Sequence, residues 1–246
     1  MSTLGSILLA TIFVSLLSLI GAIFFALREE TLKRVSASLV AFASGSLIGG
    51  SFFHLIPAAY ELSGERSLSW VAVGILVFFL LEKGLCWRHC HEAGCTVHTF
   101  SYLNLIGDGI HNFLDGLVIA VAFLASFPLG AVTTLVVISH EVPQEIADLG
   151  VLVYGGFSIP RALWLNFLSA VTVIAGGVLG YFASLLLSQF QWMLLAIAAG
   201  SFVYIALADL IPELHKQRQP RESARQFILL VAGLALLWLG KMAIPH

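Results

Sequence analysis

Two apolar stretches of this chain carry a dense set of groups able to bind a cation. The segment IGDGIHNFLDGLVIA (106–120) holds Asp108, His111, Asn112 and Asp115, and SHEVPQEIADLG (139–150) holds His140, Glu141, Gln144, Glu145 and Asp148. No Lys or Arg occurs between His89 and Pro160. Five carboxylates thus stand in hydrophobic surroundings with no basic residue to neutralise them. An unpaired charge in a low-dielectric medium costs several kcal/mol or more. With imidazoles beside the carboxylates, the simplest source of positive charge is a divalent metal ion.

Helical spacing sorts these residues into faces. Positions i, i+3, i+4 and i+7 share a side of a helix, which groups Asp108, His111, Asn112 and Asp115. His140, Gln144 and Asp148 form a second line, and Glu141, Glu145 and Asp148 its neighbour. Two antiparallel helices joined by a short turn around Phe127-Pro128-Leu129 would set the faces against each other, with His111 and His140 both near mid-span. Nitrogen and oxygen donors suit Zn²⁺, Fe²⁺, Mn²⁺ or Co²⁺ better than Cu⁺, which prefers sulfur. Neither motif contains Cys or Met. His111 and Asn112 point about 100° apart on a helix, so each could serve one of two adjacent metal sites with Asp115 between them. Amide and mixed ligands also release a metal more readily than four thiolates. Pro143 frees the carbonyl of Ser139, which in lipid must find a partner or face a polar cavity. Gly107, Gly109 and Gly116 permit close helix approach.

Other readings stay open at this point. Asp108 or Asp148 taken alone could be an interhelical hydrogen-bond partner. Protons could neutralise the carboxylates, which would make the chain a proton-coupled solute carrier. His140-Glu141 begins like the HExxH of an intramembrane zinc protease, but Gln144 replaces the second His and a Pro intervenes. The expectation is a transporter and no enzyme.

The surrounding elements are membrane spans. The chain is 59% hydrophobic and 11% charged, with a mean hydropathy of +0.97, against about 25% charged residues in soluble domains. A net charge of −2 gives no reason to expect a nucleic-acid partner. A spanning helix needs about 20 apolar residues. This predicts an all-α membrane protein with eight transmembrane helices, at about 4–27, 35–60, 69–86, 99–126, 129–153, 160–187, 190–214 and 224–244. The first run lacks a basic leader and a small-residue cleavage site, so it reads as a span rather than a removed signal peptide. Ten of the twelve basic residues fall in alternate loops, and only Arg66 and Lys241 fall on the other side. The positive-inside rule makes the first side cytoplasmic and both termini external. The absence of a targeting segment points to a bacterial inner membrane.

Two strings echo each other: His54-Leu-Ile-Pro57 in the second span and Asp209-Leu-Ile-Pro212 in the seventh. An inverted repeat of spans 1–3 and 6–8 would pair them, although so short a string also recurs by coincidence. His54 is a candidate at the outer mouth or a core histidine. Asp209, Glu213 and His215 are candidates for the inner exit, and Asp108 and Asp148 for the pathway between. The stretch 89–98 carries His89, Cys90, His91, Cys95 and His98. It matches no closed zinc pattern and reads as a solvated cytoplasmic loop or a transient metal collector.

HNFLDG (111–116) and HEVPQEIAD (140–148) resemble the fourth- and fifth-helix signatures of the ZIP family of divalent metal transporters. GSLIGGSFFHLIPAA (45–59) and AGSFVYIALADLIPEL (199–214) are similar to its second and seventh helices. The resemblance implies eight helices in a 3+2+3 arrangement, with inverted triplets around central helices 4 and 5. It also implies a binuclear metal site, a homodimer, and carriage of Zn²⁺, or variably Fe²⁺, Mn²⁺ or Cd²⁺, into the cytoplasm. Matched by motif, His111, Asn112, Asp115, His140, Glu141 and Gln144 carry over as ligands. The large subfamily reads HExPHExGD on helix five, whereas this chain has Gln144 and Ala147 at the second His and the Gly. The site would then lean more on Glu141 and Glu145, or accept more metals than zinc.

Overall fold

Helices form wherever the apolar runs allow, and caps and breakers end them. The computed structural model describes residues 2–24, 29–87, 97–186, 188–216 and 219–243. Its helical runs are α1 (3–24), α2 (29–63), α3 (Arg66–Trp87), α4 (Val97–Ala125), α5 (Phe127–Tyr154), α6 (159–186), α7 (188–215) and α8 (Pro220–Ala243). No strand occurs among the described residues. The Ser2 hydroxyl caps α1 by accepting from the Gly5 amide at 3.1 Å. Gly64 (φ 65°) and Gly156 (φ 91°) turn the chain after α2 and α5 in the left-handed region, where glycine alone is comfortable.

Among the described residues six stretches are long and apolar enough to cross a membrane: Thr3–Ile23, Arg34–Ser63, Asn104–Ala125, Ile159–Ala183, Gln191–His215 and Pro220–Met242. α3 offers the shorter apolar run Arg66–Leu81. α5 carries His140, Glu141, Gln144, Glu145 and Asp148, which lower its hydropathy. Leu9, Phe13, Leu80, Phe227, Ile228 and Trp238 are exposed along α1, α3 and α8. An outer surface this apolar belongs in lipid, and the chain is an all-α membrane protein. α2 begins at Glu29 and α8 at Pro220, earlier than hydropathy places them. Their first turns are polar, and Arg34 and Arg225 both pair with Glu222.

Two bundles meet at the centre. α1, α4, α5 and α6 pack together, and so do α2, α3, α7 and α8, with α2 against α5 as the main seam. Glycines set the closest crossings of the second bundle. A Cβ on Gly45 would strike the Leu230 carbonyl of α8, and one on Gly233 the Phe42 carbonyl of α2. α3 and α7 repeat this arrangement, with Gly74 against the Ile197 carbonyl and Gly200 against the Val71 carbonyl. Gly45 lies nine residues before His54, and Gly200 nine before Asp209. Both helices then pass through a π turn, Ser51–Leu55 in α2 and Ile205–Leu210 in α7, directly before Ile56-Pro57 and Ile211-Pro212. The echo between the two strings is therefore also an echo of crossing geometry and backbone form. In the first bundle Gly116 abuts the Val173 carbonyl of α6, whereas Gly109 leaves 3.7 Å of ordinary room.

Overpacking a helix crossing costs about 1–3 kcal/mol. Gly200→Val should lower the melting temperature of the purified protein by several degrees. Gly150→Ala, inside α5 where a Cβ meets nothing within 4 Å, should keep it or raise it slightly, since Ala favours a helix over Gly.

Candidate metal centre

The site is positioned by one residue. α4 ends at Ala125 and α5 begins at Phe127. Ser126 alone connects them, extended at φ −162° and ψ 154°, and its hydroxyl accepts from the Leu129 amide at 3.2 Å. The turn thus lies just before Phe127-Pro128-Leu129, which already forms the first turn of α5. A one-residue link forces the two helices antiparallel and fixes their register. Ser101 and Val151 lie equally far from Ser126 and bond at 3.3 Å. Asn104 donates to Asp148 at 2.8 Å, and Gln144 to Asp108 at 3.4 Å, again from equal distances. His111 lies fifteen residues before the turn and His140 fourteen after it, so their rings meet edge to face at 5.4 Å.

Four side chains converge where these histidines meet. Nε2 of His140 lies 3.2 Å from Nε2 of His111 and 3.0 Å from Oδ2 of Asp115. Oε1 of Glu141 lies 3.5 Å from the His111 nitrogen and 3.6 Å from that of His140. His111 and Asp115 are 3.7 Å apart. All four ligand atoms fall within 4.8 Å of one another. A tetrahedral zinc ion with bonds of about 2.0–2.1 Å separates its ligand atoms by about 3.3–3.4 Å, and the observed spacings bracket that value.

Hydrogen bonding orients these atoms. Nδ1 of His140 lies 3.1 Å from the Val136 carbonyl. A carbonyl only accepts, so a proton on Nδ1 points there and Nε2 is left facing the cluster, beside the Asp115 carboxylate. Glu141 is 1% exposed, and neither of its oxygens has a hydrogen-bond partner among the described residues. Buried carboxylate oxygens gathered beside two imidazole nitrogens suit a cation. Phe202 of α7 closes the site, its ring 5.8 Å from that of His140 and fully buried.

The remaining polar residues form an adjacent group built on neutral donors. Asp108 accepts from Asn112 at 2.9 Å and from Ser169 at 2.5 Å. Glu145 accepts from Asn166. Thr172 donates to the Gly109 carbonyl at 2.6 Å. Asn112, Gln144 and Glu145, expected beside the histidines, fall in this group by their hydrogen bonds. The four-atom cluster contains His111, Asp115, His140 and Glu141. Oδ1 of Asn112, Oδ1 of Asn166 and Oδ2 of Asp148 are buried without hydrogen-bond partners among the described residues. Asn104, Asn166, Ser169 and Thr172 are functional candidates that motif reading missed. All four sit on α4 or α6, and their partners lie 21–63 residues away.

His54 is buried, and its Nε2 lies 2.8 Å from the Leu237 carbonyl of α8. With Glu61, Gln191 and Lys241 it lines a cavity of about 410 Å³ among the helix ends near Ser126. Asp209, Glu213 and His215 are exposed at the opposite end, on the last turns of α7, and Glu213 pairs with Lys216. His89, Cys90, His91 and Cys95 lie outside the described residues, and His98 is described only by its backbone in α4.

A family model described as "ZIP Zinc transporter" matches residues 86–240, more than half of the chain and including both site helices. The chain belongs to the ZIP family. It is 32% identical over 231 residues to "Zinc transporter ZIP13" of Pongo abelii, spanning 86% of this chain and 68% of that protein. It is 29% identical over 269 residues to the Homo sapiens protein of the same name, spanning 86% and 72%. A shorter match, 40% identical over 120 residues, joins 49% of this chain to 18% of "Zinc transporter ZIP4" of Homo sapiens. ZIP proteins are membrane transporters of divalent metal, not enzymes. The metal is therefore the substrate, and the protease reading falls away. Gln144 agrees with this, since it bonds Asp108 rather than completing a two-histidine zinc site.

The neutral donors of the second group are separable from the cluster. Losing the partner of a buried charged group costs about 1–3 kcal/mol or more. Asn166→Ala should destabilise the protein by about that amount in thermal unfolding. Gln191→Ala, which removes only a 3.5 Å contact to Val121, should change little.

Proposed function

We propose that this ZIP protein carries divalent metal, zinc foremost, from outside into the cytoplasm through the space between α4 and α5. The observation that carries the reading is the four-atom cluster of His111, Asp115, His140 and Glu141, whose lone pairs converge at the spacing of a tetrahedral metal. The route runs from the His54 cavity, past the cluster and the group of Asp108, Asn112, Gln144, Glu145 and Asp148, to Asp209, Glu213 and His215. Asn112, with its unpartnered Oδ1, and the carboxylates beside it supply a second, oxygen-rich stage of a binuclear site. Zn²⁺ fits the two-nitrogen, two-oxygen cluster. The oxygen-rich stage extends acceptance to Fe²⁺, Mn²⁺, Co²⁺ and Cd²⁺.

All the helical runs cross the membrane in this reading, giving eight spans with both termini outside and a cytoplasmic side rich in Lys and Arg. α1–α3 and α6–α8 are inverted repeats flanking α4 and α5 in a 3+2+3 arrangement. The paired glycine crossings and paired π turns support this. The protein works as a homodimer in a plasma membrane, most simply a bacterial inner membrane.

Uptake into proteoliposomes across a panel of Zn²⁺, Fe²⁺, Mn²⁺, Co²⁺ and Cd²⁺ tests the proposal. Zinc should enter, and His111→Ala or Glu141→Ala should reduce the flux at least ten-fold, since each removes about a quarter of the coordination shell. Unchanged flux in both variants would sink the site. No flux of any metal in the wild type would sink the transport direction and substrate together.

A pH series gives an independent check. Protons compete with metal for the histidine and carboxylate lone pairs. The concentration of zinc needed for half-maximal uptake should therefore rise as the pH falls from neutral towards 5.5. A pH-independent value would count against these ligands.

A further inference from the structure

A groove of about 540 Å³ runs along the outer face of α4 and α6. Tyr102 stands at one end and Phe113 and Ala175 towards the other, with exposed Ile106 and Leu168 on its walls. Tyr102 to Phe113 is eleven residues of helix, about 16 Å at 1.5 Å per residue. One leaflet of hydrocarbon is about 15 Å, half of a bilayer core. The groove thus has the length and the apolar lining of a single acyl chain entering from one membrane surface.

The Tyr102 end carries a cation. Nη2 of Arg161 donates to the Tyr102 hydroxyl at 3.2 Å, and the guanidinium lies 5.1 Å above the Phe157 ring. Both contacts hold the side chain at the groove's mouth while leaving it exposed. Among the described residues no carboxylate pairs with it. It is the sole Lys or Arg between Arg88 and Lys216. We propose that this groove seats an acyl chain of an anionic phospholipid, its phosphate held by Arg161. A guanidinium offers a phosphodiester two parallel donors, and basic residues at a membrane surface attract anionic headgroups.

The seat backs directly onto the transport group. Ser169 forms part of the groove and donates to Asp108, and Thr172 beside it holds the Gly109 carbonyl. A bound chain presses on the α4–α6 crossing behind these bonds, so the lipid supports the polar group from outside. The assignment to the cytoplasmic leaflet rests on the topology proposed above.

The test uses the purified full chain in nanodiscs of phosphatidylcholine, with and without phosphatidylglycerol, and counts retained lipid by native mass spectrometry. The wild type should retain phosphatidylglycerol preferentially. Arg161→Gln should reduce that preference about five-fold, the factor that one interfacial basic residue contributes. Arg66→Gln, at the start of α3, should keep it. Ala175→Trp fills the inner end of the groove and should remove the retained lipid without lowering the melting temperature. Undiminished preference in Arg161→Gln, or undiminished retention in Ala175→Trp, overturns the proposal. A loss of dimer in Ala175→Trp with lipid still bound overturns it too, in favour of an interface between copies. Maleimide labelling of a cysteine placed at 161 in a cysteine-free background reads the topology separately. Labelling from outside rejects the leaflet while leaving the lipid counts to judge the groove.

Discussion

The whole arrangement depends on one electrostatic constraint: five carboxylates are buried within two neighbouring helices that contain no Lys or Arg. Two physical remedies exist, and the protein uses them in different places. Around Asp108, Glu145 and Asp148 it brings neutral donors from Asn104, Asn112, Asn166 and Ser169. Around Asp115 and Glu141 it brings imidazoles, one of them oriented by the Val136 carbonyl so that Nε2 faces inward. A hydrogen bond to a neutral amide stabilises a carboxylate without discharging it. Among the described residues the inner pair bonds no amide or hydroxyl, so a cation meets no competing neutral donor there. The difference between the groups is thus one of donor supply rather than acid count.

Register converts that chemistry into geometry. With Ser126 as the one residue between α4 and α5, neither helix can slide without breaking several polar pairs set at matching distances from the turn. The glycine crossings act at right angles to this constraint. Gly116 brings α6 close enough for Ser169 and Thr172 to reach α4. A larger residue there would part the helices and leave Asp108 without its α6 donor, even though no ligand had been touched.

Much of this was legible in the residues. The i, i+3, i+4 and i+7 spacing placed His111 with Asp115, and the lack of basic residues demanded a cation. Spacing does not report how far a face is rotated about its axis. Gln144 follows His140 by one helical turn and so reads as its neighbour, yet its amide reaches Asp108. Asn112 likewise turns back one helical turn to Asp108. Asn166 and Ser169 were silent for another reason. Both are small neutral polar residues in a mainly apolar span, and their meaning comes from partners on helices distant in sequence. The π turns left no periodic trace either, although the Leu-Ile-Pro strings marked where they end.

Those two turns bear on how a path could open at each end. A π turn inserts one extra residue, widens the helix and loosens its backbone bonding, and a Pro just beyond removes a further donor. α2 has this weakness beside His54, and α7 has it beside Asp209. Both helices are pinned by a glycine crossing nine residues earlier, at Gly45 and Gly200. Each is therefore held firmly near its middle and is compliant further along, near a residue of the proposed route. Under the proposed inversion the two compliant points lie at opposite membrane faces, so either mouth can yield without disturbing the α4–α5 register that holds the cluster.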